Sequence, residues 1–353
     1  MRSAAPVQQW FFDHIRAGFQ TAIGTGTVQY YCEDEQFYVT VAESEISCSQ
    51  GVHPEPTSVV RGPRSVFERL VFEPGRVDPR DPSIYPLLQI SGDHWLQHFV
   101  WWLTHRPSEA HVRRYHDLEE RAASRSPVEV VERVHAPSDA DVRAALADGV
   151  PMLATGCLDH WPRIPDLQTL KDSFGHVPFK LYGSTQEITT LGGFADLLAS
   201  DDRATLTSGG VLCPVELRPS FTPRVLGGEG FTLPQFWLGR VKGSKKPITP
   251  LHQDEIPSFL GHVFGPKKFL LYSPDQAKNV YVLDKTYRRG RLAAAQPWNP
   301  DYQRFPLFAN ARPVEVVLAP GDLLLIPAGW FHEAYATAEP VLSVGSFYNE
   351  WAA

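Results

Sequence analysis

One spacing constrains this chain more than any other feature. Thr249-Pro250-Leu251-His252-Gln253-Asp254 is followed, 78 residues after Asp254, by His332 at the end of Pro320-Gly321-Asp322-Leu323-Leu324-Leu325-Ile326-Pro327-Ala328-Gly329-Trp330-Phe331-His332. A His-x-Asp pair at one strand end and a distant histidine at another can meet on one side of a metal ion. That leaves half of an octahedron open for substrates, as a mononuclear iron site requires. The pair alone is weak: with 13 His and 40 acidic residues in 353, His-x-Asp/Glu is expected about once or twice by chance. A second instance, His53-Pro54-Glu55, is flanked by prolines and reads as a loop.

Context separates the two. Phe259 to Phe264 is an apolar, strand-like run, Gly265-Pro266 turns the chain, and Lys267 to Ser273 returns as a second strand before Pro274-Asp275. Farther on, Pro313 to Leu318 alternates, Pro320-Gly321-Asp322 is a turn, Leu323 to Ile326 is a short buried strand, and Val341 to Tyr348 makes one more. Ligands at strand ends in a run of antiparallel strands describe a β-barrel or jelly roll with its site in the mouth.

Several blocks in this order resemble a known family. They are Thr249 to Asp254, Ser273-Pro274-Asp275-Gln276, Asn299-Pro300-Asp301-Tyr302 with Arg304-Phe305-Pro306, and Pro320 to His332. Residues 249–348 resemble the jumonji-C (cupin-like) iron(II)- and 2-oxoglutarate-dependent oxygenases of the small hydroxylase type. A weaker likeness reaches back to about residue 127, through Gly149-Val150-Pro151-Met152-Leu153 and Asp159-His160-Trp161-Pro162. The resemblance implies a mainly β fold: a double-stranded β-helix catalytic domain over 127–353, preceded by a smaller α+β domain over 1–125. It implies that His252, Asp254 and His332 hold iron(II), and that Thr249, Lys267 and Ser346 hold 2-oxoglutarate. Ser258, Trp237 and Trp330 would support the site or face the substrate. Ser258 and Ser346 stand where the family often has asparagine, with shorter reach and fewer donors.

Lys267 also has a reading from its residues alone. It shares strand parity with Phe269 and Leu271, so it would point into an apolar barrel, where a lone ammonium is costly without an anion. On periodicity alone, a solvated Lys267-Lys268 pair beside the Gly-Pro turn stays open. A further basic stretch, Arg240 to Lys246, reads as a loop at the rim of the pocket or as a solvated hairpin tip.

The implied reaction is a 2-oxoglutarate-dependent dioxygenation. Dioxygen would hydroxylate an unactivated C–H bond of a small molecule or protein side chain, with release of succinate and carbon dioxide. The carboxylate of Asp254 argues against a halogenase, which needs that position for halide, and no zinc cluster or histone-reader motif points to a lysine demethylase. A non-oxidative metal-dependent cupin (an isomerase or hydrolase) and a catalytically silent binding module of the same fold are the other classes open.

Composition bounds the rest. A net charge of −7 and a pI of about 6.0 give no electrostatic footprint for nucleic acid. No apolar run of about 18 residues predicts a transmembrane helix, and Asp13, His14 and Arg16 interrupt the N-terminal segment where a signal-peptide core would be uncharged. Cys32, Cys48, Cys157 and Cys213 lack CxxC spacing, which favours a reducing cytoplasm over a disulfide framework or zinc site. Expected partners are dioxygen, an organic or protein substrate, and a second copy of the chain in a homodimer.

Residues 1–125 read as a separate unit. Val7, Trp10, Phe11, Ile15, Phe19 and Ala22 share a helical face, strands follow at Thr27–Cys32, Gln36–Ala42 and Glu45–Cys48, and Pro63 to Phe72 is a helix. Tyr85 to Ile90 reads as a strand, and Asp93 caps a Trp95–Leu103 helix. This order resembles a sterol-carrier-protein fold, with Trp95, Trp101 and Trp102 lining either a ligand tunnel or an ordinary core. Glu119 to Pro127, charged and small, reads as the linker.

Overall fold

The computed structural model describes residues 7–72, 87–179, 189–200, 205–207, 210–241, 246–287, 290–336 and 339–349. The chain forms two compact units. One runs to Arg113 and takes in Tyr281–Ala295; the other comprises most of the remainder from Arg114 onward.

The first unit is α+β. Its sheet runs Ile46–Gln50, Glu35–Val41, Gly26–Cys32, Ser58–Gly62, Gln89–Gly92, antiparallel except where Gly26–Cys32 lies parallel to Ser58–Gly62. The helix Val7–Gly18 buries Val7, Phe11, Phe12 and Ile15; it ends before Phe19, and Trp10 stacks on His14 at its edge. Phe11 packs against Tyr30 and Phe37 of the sheet. The Asp93 carboxylate accepts from the Leu96 N–H and caps the helix His94–Trp102, as its position predicts.

Three readings need correction. The strand expected at Tyr85–Ile90 is found at Gln89–Gly92, and Tyr85 and Pro86 lie outside the described residues. Ser58–Gly62 is a strand that sequence reasoning missed, because only Val59 and Val60 are apolar in it. The stretch read as a linker is helical as far as Ala123, closing the helix Glu109–Ala123 with Tyr115 buried. Glu, Arg and Ala are strong helix formers, so charge there marks a solvated helix face and not a loop. Trp101 and Trp102 are half-buried, and the Trp95 side chain lies outside the described residues.

The second unit is mainly β. Its larger sheet runs Thr205–Thr207, Gln235–Val241, Val341–Phe347, Ser258–Phe264, Leu323–Ile326, Met152–Thr155, Glu132–His135. The smaller has four strands of this unit in the order Thr249–Asp254, Phe331–Ala336, Lys267–Tyr272, Val314–Leu318, every pair antiparallel. Leu260, Leu324, Ile326 and Val341 of the larger sheet pack with Phe269, Leu271, Val316 and Ala334 of the smaller, so the two face each other across one apolar core. This is the expected double-stranded β-helix. The larger sheet's outer face, with Phe236, Leu238, Phe259 and Val344, is covered by Val142, Leu170, Phe194 and Leu198 from three helices.

Two local features hold this frame. Glu132–His135 and Met152–Thr155 pair in parallel, joined by the helix Asp139–Asp148, which starts at a Ser138–Asp141 capping box and stops at Gly149 in the left-handed region. Gly265 has φ +84°, and a Cβ there would fall 2.2 Å from the Pro340 carbonyl oxygen, so only glycine makes this turn. The basic rim also changes: Arg240 lies in the strand Gln235–Val241, 1% exposed, with Nε donating to the Leu198 carbonyl. Lys242 to Lys245 lie outside the described residues.

Candidate metal centre

Cross-strand register assembles the site. His252 pairs directly with His332, and His332 in turn with Leu271 on its other side. Thr249 and Phe269 likewise flank Ala334. Residues paired across a sheet share a face, so Thr249, His252, His332 and Lys267 all belong to the inner face with Phe269 and Leu271. An irregularity between Thr249 and His252 re-aims the chain just before the pair.

The two histidines are oriented alike. His252 Nδ1 lies 2.8 Å from the Pro250 carbonyl oxygen and His332 Nδ1 lies 3.1 Å from that of Trp330. A carbonyl can only accept, so each Nδ1 carries the proton and each Nε2 presents a lone pair. Asp254 Oδ2 is 3.5 Å from His332 Nε2 and 3.9 Å from His252 Nε2. One donor atom from each residue lies within 4.8 Å of the others. Donors about 2.1 Å from a shared ion stand about 3 Å apart, so the three need close only slightly on a metal. Burial, then the neighbouring His252, hold His332 well below the usual imidazole range, which keeps it a neutral ligand. The Gly329 N–H donates to the Asp254 carbonyl, and the Trp330 indole N–H to that of Gly149, which pins the turn carrying His332. These residues fit an iron(II) ion.

His53 is placed differently. Its Nδ1 accepts from the Glu55 N–H in a loop, and its ring packs edge-on against Tyr38.

Lys267 points inward and is 3% exposed, while Lys268 on the opposite face pairs with Glu315 at 3.1 Å. Among the described residues no carboxylate pairs with Lys267, and burial pushes its pKa down to about 7. A buried cation of this kind fits an anionic cosubstrate. Its Nζ donates to Ser343 Oγ at 3.1 Å. Ser343, not Ser346, is thus the serine against the lysine. Ser346 is also buried, but it pairs with Phe259 and alternates onto the helix-covered face with Leu342 and Val344. Ser258, paired with Ile326, and Trp237, paired with Ser343, lie on the inner face. Trp330 is fully committed to the fold by its indole bond.

Sequence reasoning missed His262. It pairs with Ser343 across the larger sheet, its Nδ1 is 3.0 Å from Ser343 Oγ, and its Nε2 is 2.6 Å from the Gly265 carbonyl oxygen. The one available signal was its inward parity with Leu260, two residues before it.

The same part of the chain is similar to known proteins. Residues 216–352 match the family model of a cupin-like domain. The tRNA wybutosine-synthesizing protein 5 of Danio rerio is 37% identical over 130 residues, covering 35% of this chain and 37% of that protein. Lysine-specific demethylase 8 of Danio rerio is 28% identical over 244 residues, 62% of this chain and 59% of the relative. Jumonji C domain-containing protein 5 of Drosophila melanogaster is 34% identical over 116 residues, 32% and 27%. In each case the chain spans less than two thirds of the relative's length. Residues 216–352 of this chain therefore match a cupin-like domain and are similar to jumonji-C domain-containing proteins.

Proposed function

We propose that this chain is an iron(II)- and 2-oxoglutarate-dependent dioxygenase that hydroxylates an unactivated C–H bond. The observation that carries this reading is the convergence of His252, Asp254 and His332 on one inner face with the buried ammonium of Lys267, which pairs with no carboxylate among the described residues. Iron with 2-oxoglutarate and dioxygen, when bound, supplies the oxidising chemistry, giving succinate, carbon dioxide and one oxygen atom for the substrate. The chain's own residues do the rest. His252 and His332 present neutral Nε2 lone pairs, Asp254 adds a single negative charge, and Lys267, held from behind by Ser343, meets the far carboxylate of the cosubstrate together with Thr249. Trp237 and Ser258 line the inner wall and exclude water from the reacting face.

The substrate class proposed is a small molecule or a protein side chain. The net charge of −7 favours these over a phosphate backbone. No helix among the described residues is long and apolar enough to cross a membrane. Cys32, Cys48, Cys157 and Cys213 are all free, which supports a reducing cytoplasmic setting. A homodimer and an independent catalytic domain over 127–353 belong to the same proposal. The test is incubation with iron(II), 2-oxoglutarate and oxygen, reading succinate together with the mass of candidate acceptors. Gain of one oxygen atom by an acceptor, coupled to succinate, supports hydroxylation; loss of a methyl group from a lysine would replace it with demethylation.

A further inference from the structure

Behind Lys267 lies a chain of three hydrogen bonds whose direction is fixed. The Gly265 carbonyl can only accept, so the proton on His262 sits on Nε2, 2.6 Å away. Burial, then the nearby Lys267, push His262 down to about 4, so the ring is neutral and its Nδ1 is an acceptor. The Ser343 hydroxyl must then donate to Nδ1 at 3.0 Å, which leaves its oxygen to accept from Lys267 Nζ at 3.1 Å. Reversing the imidazole would set its bare Nε2 against the Gly265 carbonyl oxygen, and turning the Ser343 hydroxyl around would set a donor against the Lys267 ammonium.

The placement is economical in sequence. His262 lies two residues before the end of the strand Ser258–Phe264, Gly265-Pro266 makes the turn, and Lys267 opens the next strand. The carbonyl that sets the tautomer and the lysine it serves thus belong to one tight turn between the two sheets. Ser343 lies on the larger sheet and Lys267 on the smaller, so the bond between them crosses the core. Ser343 is fully buried and His262 is 1% exposed, so water does not compete for either.

We propose that His262 is a positioning residue for the 2-oxoglutarate site, acting through Ser343 to hold the Lys267 ammonium in one orientation with its other N–H donors turned to the ligand's carboxylate. This rests on the reading of Lys267 as the cosubstrate anchor. An ammonium on a four-carbon stem is otherwise free to rotate, and fixing it beforehand lowers the cost of binding.

The test is calorimetric titration of 2-oxoglutarate into full-length protein loaded with manganese(II), where binding is read without turnover. Wild type should bind and Lys267→Ala should lose most of that affinity; wild type that binds no 2-oxoglutarate overturns the cosubstrate reading itself. Given binding, His262→Leu and Ser343→Ala should each weaken it by about 5- to 30-fold, the scale of one buried hydrogen bond. The double variant should be no weaker than either single one, because both break the same chain. His262→Gln, which keeps one donor and one acceptor, should recover part of the loss. Manganese affinity should stay unchanged throughout. His262→Leu or Ser343→Ala proteins that bind 2-oxoglutarate as wild type does overturn the inference, as does full additivity of the two. If His262→Leu does not fold, Ser343→Ala and His262→Gln decide it by the same measurement.

Discussion

At the scale of single residues, the site divides into groups that meet the metal and groups that meet an anion, and each can be removed separately. His252→Ala, Asp254→Ala or His332→Ala should abolish iron(II) binding while the fold survives, and His53→Ala should leave it intact; metal content after anaerobic loading reads this. Equal iron in wild type and His332→Ala would remove the assignment. Lys267→Ala should raise the 2-oxoglutarate requirement by roughly 10- to 100-fold, the loss of one buried charge-assisted bond, whereas Lys268→Ala should do little. The sign of the pH effect follows from the same residue. A carboxylate binds the ammonium form, and without ligand Lys267 titrates at about 7. Affinity for 2-oxoglutarate should therefore be greatest below pH 7 and fall as pH rises through it. Ligand-free stability runs the other way. The unfolded chain keeps that proton up to about 10.5, so burial of Lys267 costs less as pH climbs from about 7 toward that value. Titrations across this range in wild type and Lys267→Ala check both signs.

At the scale of elements, period-two alternation made much of the site legible. The parity of Lys267 with Phe269 and Leu271 and the strand ends at His252 and His332 needed no tertiary knowledge beyond a barrel. Ser343 and His262 escaped because their bond joins positions far apart in sequence, and nothing local marks a serine as a lysine's partner. Ser346 was drawn in by the family pattern, although alternation from Ser343 sets it on the opposite face. In the first unit the weak strand Ser58–Gly62 has too few apolar residues to signal itself, and the supposed linker is helix for the reason that Glu, Arg and Ala favour one. The turn at Gly265, which carries the chain from one sheet to the other, offers a test at this scale. Gly265→Ala combines a positive φ with a clash against the Pro340 carbonyl, so it should cost about 2 to 4 kcal/mol and weaken 2-oxoglutarate binding with it. Thermal unfolding at neutral pH reads the first effect; a variant as stable as wild type would show that the turn relaxes freely.

At the scale of the whole molecule, the proposed catalytic domain begins near Pro127, and no metal-ligand cluster stands out among the described residues before it. A protein starting there should still bind iron and slowly release succinate, yet lose affinity for its substrate or its self-association. It should also melt earlier, because the segment Tyr281–Ala295 would lose its neighbours: Tyr287 stacks on His111 at 3.8 Å, and Gln20 bonds both Asp284 and Lys285. An insoluble or metal-free fragment would mean that the chain folds as one cooperative whole. The activity itself is tested most directly by succinate. Wild type and Asp254→Ala are given iron(II), 2-oxoglutarate and oxygen, without any further substrate, and succinate is measured by mass spectrometry. The expected result is slow succinate release by wild type that requires both iron and oxygen and is absent in Asp254→Ala. Recovery of all the 2-oxoglutarate unchanged from wild type with its metal site filled would contradict it, and would point to a cupin that uses its metal without oxidation.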